Sequence, residues 1–166
     1  MKNLKKLLKK EKLEVLVDPH PILRKKSLPV EDFSVMSKLK DKMVESMRES
    51  RGIGLAAPQV GLSLRLFVMD IYHEGLISET LMLINPEIVN KKGVAAIEEG
   101  CLSLPGKNIL VERSEEVKLK YFTEQGEEKI RTFEGIPSIC VQHEMDHLNG
   151  VLMTDYLRRE DEILKK

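Results

Sequence analysis

Two of the chain's four histidines, His143 and His147, stand four residues apart in the run Gln142-His143-Glu144-Met145-Asp146-His147. On an α-helix that spacing puts both imidazoles on one face, where they can reach a single metal ion. A His-Glu-x-x-His run arises by chance in a sequence of this composition on the order of once in a hundred, so its presence is informative. The plain alternative is a pair of core histidines bonded to backbone, which leaves buried imidazole nitrogens to satisfy without a metal. Glu144 points toward catalysis: beside two histidine ligands a carboxylate can take a proton as water attacks and return it to a leaving nitrogen. Asp146 projects to another side of the helix and reads as a surface carboxylate or a support behind the ligands.

A catalytic site of this kind uses three protein ligands and keeps one position for water. In zincin peptidases the third ligand lies downstream of the second histidine, yet no histidine follows His147, and Glu160 and Glu162 stand in a charged tail. Upstream, Glu98-Glu99-Gly100-Cys101-Leu102-Ser103-Leu104-Pro105-Gly106 sets a cysteine among small and turn-forming residues, where a strand end would hold a sulfur ligand. Cys101 is therefore the expected third ligand. Cys140 competes, because it precedes His143 by three residues and shares its helical face. Cys101, Cys140, His143 and His147 together would close a Cys2His2 structural zinc site, although three ligands on one helix strain tetrahedral geometry, and Cys140 also suits a small apolar pocket wall. Two alternatives to a hydrolytic centre of unspecified substrate stay open here: a metallopeptidase with an unusual cysteine ligand, and a non-catalytic protein built on that closed site.

The segment from Gly52 to Gly61 is uncharged, small and turn-prone. It lacks both the Gly-Lys-Ser/Thr of a phosphate loop and the dinucleotide glycine pattern, so it reads as backbone that approaches something closely, with Gln59 as its one amide donor. A tight turn entering a buried strand explains the glycines equally well.

These residues need elements to hold them. Val35, Met36, Leu39, Met43 and Met47 predict a helix over Ser34 to Ser50, with Ser34 as its cap, and a second helix is expected from Pro137 to Asn149 with Gly150 just beyond. Apolar runs at Leu62–Ile71 and Leu81–Asn85 predict strands. Val117–Thr123 and Lys129–Phe133, separated by Gln125 and Gly126, predict a hairpin. Strands between two helices argue for an α+β fold, its mostly antiparallel or mixed sheet packed around the histidine-bearing helix.

Length and charge agree. With 166 residues, one core is expected, as a basic arm over 1–13 and a single catalytic domain over 14–166. Hydrophobic residues at 42% exclude a disordered chain. No apolar stretch approaches the roughly 20 residues of a membrane span, and two cysteines do not make a secreted disulfide framework, so a cytoplasmic protein with reduced thiols is expected. The formal charge is zero, but the first dozen residues are Lys-rich, with Leu4, Leu7 and Leu8 interspersed. Such a segment reads as a solvated terminus able to touch anionic surfaces, with no specific nucleic-acid recognition.

The runs at 52–59, 98–103 and 142–147, with Leu23-Arg24 and Asn85-Pro86, resemble in type and order those of the peptide deformylases, and the resemblance extends from about Val15 to Tyr156. It implies hydrolysis of the formyl group from the initiating N-formylmethionine of nascent polypeptides during protein biosynthesis, releasing formate. It implies one divalent metal, characteristically Fe(II), with Zn(II), Ni(II) or Co(II) able to occupy the same position, on Cys101, His143 and His147, with Glu144 as acid and base. Gln59 and the backbone N–H of Leu102 would hold the developing oxyanion. Ile53, Ile139 and Cys140 would line the methionine pocket, and the backbone of Gly54 and Gly100 would pair with the peptide. N-formylmethionyl chains are the implied partners, with transient ribosome association, for which the Lys-rich arm is the candidate contact here. Where some members carry a peptide-orienting arginine after the cysteine motif, this chain has Gly106, Lys107 and Asn108.

Overall fold

The computed structural model describes residues 2–157; Glu160 and Glu162 lie outside the described residues. A short helix α1 (Lys2–Leu7) leads to α2 (Met36–Glu49) and then to seven strands: β1 (Gly54–Ala56), β2 (Leu66–His73), β3 (Leu76–Lys92), β4 (Ala95–Gly100), β5 (Asn108–Arg113), β6 (Glu116–Phe122) and β7 (Glu128–Glu134). Helix α3 (Ile136–Leu148) follows. The strands form an antiparallel five-stranded sheet, ordered β1-β2-β3-β6-β7, and a separate β4-β5 ribbon. The α+β expectation therefore holds, with antiparallel pairing throughout the named strands.

The main sheet lies between the two long helices, and its strands divide their side chains accordingly. Val68, Met82 and Ile84 join the core under α2, while Phe67, Met69 and Leu83 alternate onto the opposite face beneath α3. Burial on both faces explains why Leu66–Met69 is a continuous apolar run rather than an alternating one. A third cluster, with Leu23, Leu104, Ile109, Val111, Leu152 and Met153, fastens the β4-β5 ribbon to the segment after α3.

Four local readings need correction. Ser34 does not cap α2: its N–H donates to Asp32 Oδ1 at 2.9 Å, so Asp32 makes the side-chain turn and Val35 occupies the cap. Strand β2 starts at Leu66 rather than Leu62. Strand β3 runs for 17 residues, far past Leu81–Asn85, because a bulge absorbs Pro86: Asn85 takes φ +49° and the register with β6 slips between Ile84 and Glu87. The basic arm is only partly solvated, since Leu4, Leu7 and Leu8 rest on the α2 core and Leu13 is fully buried, whereas Lys5, Lys6, Lys9 and Lys10 are exposed.

Candidate metal centre and active site

Helix α3 starts as its sequence predicts, with Pro137 in the first turn, and ends at Asn149 with Gly150 at φ +73°. Val141, Met145 and Leu148 anchor it to the sheet. That anchoring turns His143, Glu144 and His147 toward the β4-β5 ribbon, whose first strand ends one residue before Cys101. Cys101 Sγ lies 3.3 Å from His147 Nε2, and the two Nε2 atoms lie 3.2 Å apart. The three donor atoms all fall within 4.8 Å of one another. Cys140 stands outside this trio, with its sulfur 3.9 Å from the Ile53 carbonyl. The closed four-ligand arrangement therefore finds no support among the described residues.

The trio suits a cation on chemical grounds. His143 Nδ1 meets Glu99 Oε2 at 2.8 Å; a carboxylate only accepts, so Nδ1 carries the hydrogen and Nε2 turns its lone pair to the trio. Burial alone would strip a proton from His143, yet hydrogen bonds to Cys101 and Glu99, with Glu144 nearby, drive its pKa up to about 10, the sign of a place that holds positive charge. A divalent ion bound there would take that proton's place. His147, enclosed and beside His143, is pushed well below its ordinary value and stays neutral, as a ligand must. Its Nδ1 is buried with no partner among the described residues.

Glu144 is 3% exposed, and its Oε2 likewise lacks a partner. Burial pushes its carboxyl up to about 7. A carboxyl so placed exchanges protons near neutral pH, which is what an acid-base group requires.

Gln59 sits on a 3-10 turn (Ala57–Val60) that follows β1, so the glycine-rich segment is a short strand and a turn rather than a loop. Its side chain is fixed at both ends: Oε1 accepts from the Ala56 N–H at 2.8 Å, while Nε2 donates to Ser103 Oγ at 3.1 Å and faces Cys101 Sγ at 3.9 Å. A cavity of about 650 Å³ opens over these groups. Ile53, Gly54, Gln59, Gly100, Leu102, Ile139, Cys140, Cys101, His143 and Glu144 all line it, whereas His147 lies behind the wall.

Sequence reasoning missed what stands behind His143. Arg113, on β5, grips Glu99 through Nε at 2.7 Å and Nη2 at 3.0 Å, and its Nη1 donates to Asp146 Oδ2 at 2.6 Å and to Tyr156 Oη at 3.0 Å. Tyr156 in turn donates to Asp146 Oδ2 at 2.8 Å. Asp146 is thus an internal support and not a surface group. Against the effect of burial, Arg113 and His143 hold the Glu99 carboxyl below the ordinary range, so it stays ionised as His143's acceptor. Glu99 stood in the quoted motif and carried a signal; the plain Val-Glu-Arg context of Arg113 carried none.

Comparison with known proteins agrees. The polypeptide deformylase family model matches residues 12–162. A peptide deformylase from Phenylobacterium zucineum is 45% identical over 157 residues, covering 92% of this chain and 93% of its own. A crystal structure of a peptide deformylase from Legionella pneumophila superposes with a TM-score of 0.82 at 43% identity, covering 87% of this chain and 85% of its own. One from Thermotoga maritima gives 0.83 at 40%, covering 88% and 97%.

Proposed function

The chain belongs to the peptide deformylase family, and from that premise we propose that its cleft removes the formyl group from N-formylmethionyl nascent chains, with Cys101, His143 and His147 holding one divalent ion and Glu144 moving the protons. The observation that carries this reading is the meeting of one sulfur and two imidazole nitrogens at the wall of a cavity that a buried carboxyl also lines. A divalent ion in that position supplies Lewis acidity and a water that is nucleophilic near neutral pH. Sulfur with two imidazoles suits Fe(II), our choice for the native metal, and accepts Zn(II), Ni(II) or Co(II).

This chain's own groups do the rest. Glu144 as carboxylate takes a proton from the attacking water, whose oxygen bonds to the formyl carbon; the same proton passes to the amine nitrogen as the carbon–nitrogen bond breaks, leaving formate and a free amino terminus. The Gln59 amide, held by Ala56 and Ser103, and the Leu102 N–H donate to the carbonyl oxygen as it gains charge, a kind of contact whose loss costs about 10² to 10³ in rate. Ile53, Ile139 and Cys140 take the methionine side chain, and the extended peptide pairs with the backbone of Gly54 and Gly100. A formamide bears only hydrogen on its carbonyl carbon, so a close-fitting wall rejects the acetyl analogue. No helix among the described residues is long and apolar enough to cross a membrane. The proposed setting is the cytoplasm, with transient ribosome contact through the exposed lysines of the N-terminal arm.

The test is formate release from formyl-Met-Ala set against cleavage of unformylated peptide, repeated with Glu144→Ala. Formate release by the parent, with metal retained and turnover reduced at least about 10²-fold in the variant, is expected. Cleavage of the unformylated peptide, or full activity without Glu144, overturns the proposal.

A further inference from the structure

A second groove, of about 790 Å³, shares no lining residue with the catalytic cavity. Segment 26–29, the bulge of β3, part of β6 and the residue that ends α3 enclose it. Leu28 and Phe122 make its walls apolar. Its charged lining is Lys26, Arg65 and Lys120 against Glu87, a formal excess of two positive charges that equals the charge of a phosphate monoester dianion. Arg65 is half-buried, and its guanidinium donates to Asn149 Oδ1 at 3.0 Å. Among the described residues it has no carboxylate within ion-pair distance, so most of its five donors await an acceptor. Lys26 is also without an ion pair among those residues, while Lys120 shares its charge with Glu128 at 3.0 Å. Half-burying a guanidinium whose only facing carboxylate in the groove, Glu87, makes no ion pair with it is costly, and an arriving anion lowers that cost.

The groove is also built in advance. Leu28 N–H donates to the Ser63 carbonyl at 3.0 Å, Arg65 N–H to the Leu28 carbonyl at 2.8 Å, and Asn85 N–H to the Arg65 carbonyl at 2.7 Å. The Asn85 amide clasps both backbone groups of Val30 at 2.8 Å. Ser27 completes a wall with an enclosed hydroxyl that has no partner among the described residues. Volume, apolar walls and a few convergent polar groups are the attributes of a small-molecule site.

We propose that this groove binds a phosphate monoester carrying a flat apolar group, of the nucleoside monophosphate class, with the phosphate on Arg65 and Lys26 and the ring against Leu28 and Phe122. The proposal is independent of the deformylase reading.

Calorimetric titration of the metal-loaded enzyme with adenosine monophosphate, inorganic phosphate and adenosine tests it, with formate release followed in parallel. Expected are saturable binding of the monophosphate at one site, at least about tenfold tighter than inorganic phosphate or adenosine, and deformylation unchanged by its presence. Arg65→Gln and, separately, the exposed Lys26→Gln each weaken it about tenfold, and Glu87→Gln tightens it. No saturable binding overturns the proposal. So does affinity that survives both cation substitutions, phosphate binding as tightly as the monophosphate, or competitive inhibition of deformylation by the monophosphate, which places it in the catalytic cleft instead.

Discussion

Replacing Gly54 by alanine would insert one methyl group between Glu144, the proposed base, and its pocket. A Cβ built on Gly54 falls 2.5 Å from Glu144 Oε1, 2.7 Å from Cys140 Sγ and 3.0 Å from Glu144 Cδ. Because ordinary contact begins at 3.4 Å, the carboxylate must retreat by about 0.9 Å, and α3, seated on the sheet through Val141 and Leu148, gives it little room. Misplacing a reacting group by about 1 Å costs roughly 10²-fold in rate, or about 2.7 kcal/mol of activation free energy. Overpacking adds about 1–3 kcal/mol of destabilisation. Gly54→Ala should therefore lose about two orders of magnitude in kcat with its metal content intact, measured by formate release and by metal analysis of the purified variant. Gly100 supplies the control: a Cβ there meets only Asn108 Oδ1, at 3.4 Å, so Gly100→Ala should melt at the parent temperature. Gly52→Ala should be intermediate, since its closest clash, 2.7 Å, is with a far methyl of Leu102, which can swing away, and the Gly54 carbonyl at 3.3 Å is crowded only slightly. A Gly54→Ala enzyme within about threefold of the parent kcat would refute the claim that this glycine leaves space for the base.

Three further outcomes follow from the charged groups. As the proposed base, Glu144 would act only when ionised, so kcat/KM should fall as pH drops through its pKa; burial pushes that pKa up to about 7 and His143 pulls it down, so a pH profile should show an acid limb below 7 that Glu144→Ala lacks. Arg113→Met strands the Glu99 and Asp146 carboxylates, which should cost about 3–5 kcal/mol, a melting shift on the order of 10 °C, together with weaker metal retention; an unchanged melting temperature contradicts the network. Asp70 is buried, yet Arg48 (2.8 and 2.9 Å) and Thr80 (2.6 Å) hold its carboxyl below the ordinary range. Its folded pKa lies below the unfolded one, so this stability is present above the ordinary carboxylate range and is lost as pH falls through the depressed value. Denaturant midpoints from pH 7 to pH 3 should decline less steeply in Arg48→Gln than in the parent.

The residues that meet at the cavity were legible because chemistry restricts residue type and spacing together: His143 and His147, four apart, share a helix face with Glu144 next to them, and Cys101 was the sulfur set among turn formers. The methionine stripe of α2 was legible through its period. Other features left no local trace. Ala95–Gly100 has one β-branched residue, so β4 owes its existence to pairing with β5 rather than to propensity. The full span of β3 was masked by Pro86, whose effect the Asn85 bulge cancels. Arg113 reaches Asp146 across 33 positions of sequence, and only the folded chain reveals why a cation lies buried there.

The sulfur of Cys101 and the two imidazoles arrive on separate pieces of the molecule, a ribbon with its own small core and a helix clamped to the main sheet. Synthesis delivers the cysteine well before the histidines, so no trio exists until ribbon and helix have docked, and Glu99 with Arg113 can fasten that joint without an ion. On the proposed reading, a metal would then enter an assembled protein rather than template one. The element held there would then be decided by what the cell's labile pool offers at that moment, and exchange of one ion for another would leave the architecture around it undisturbed.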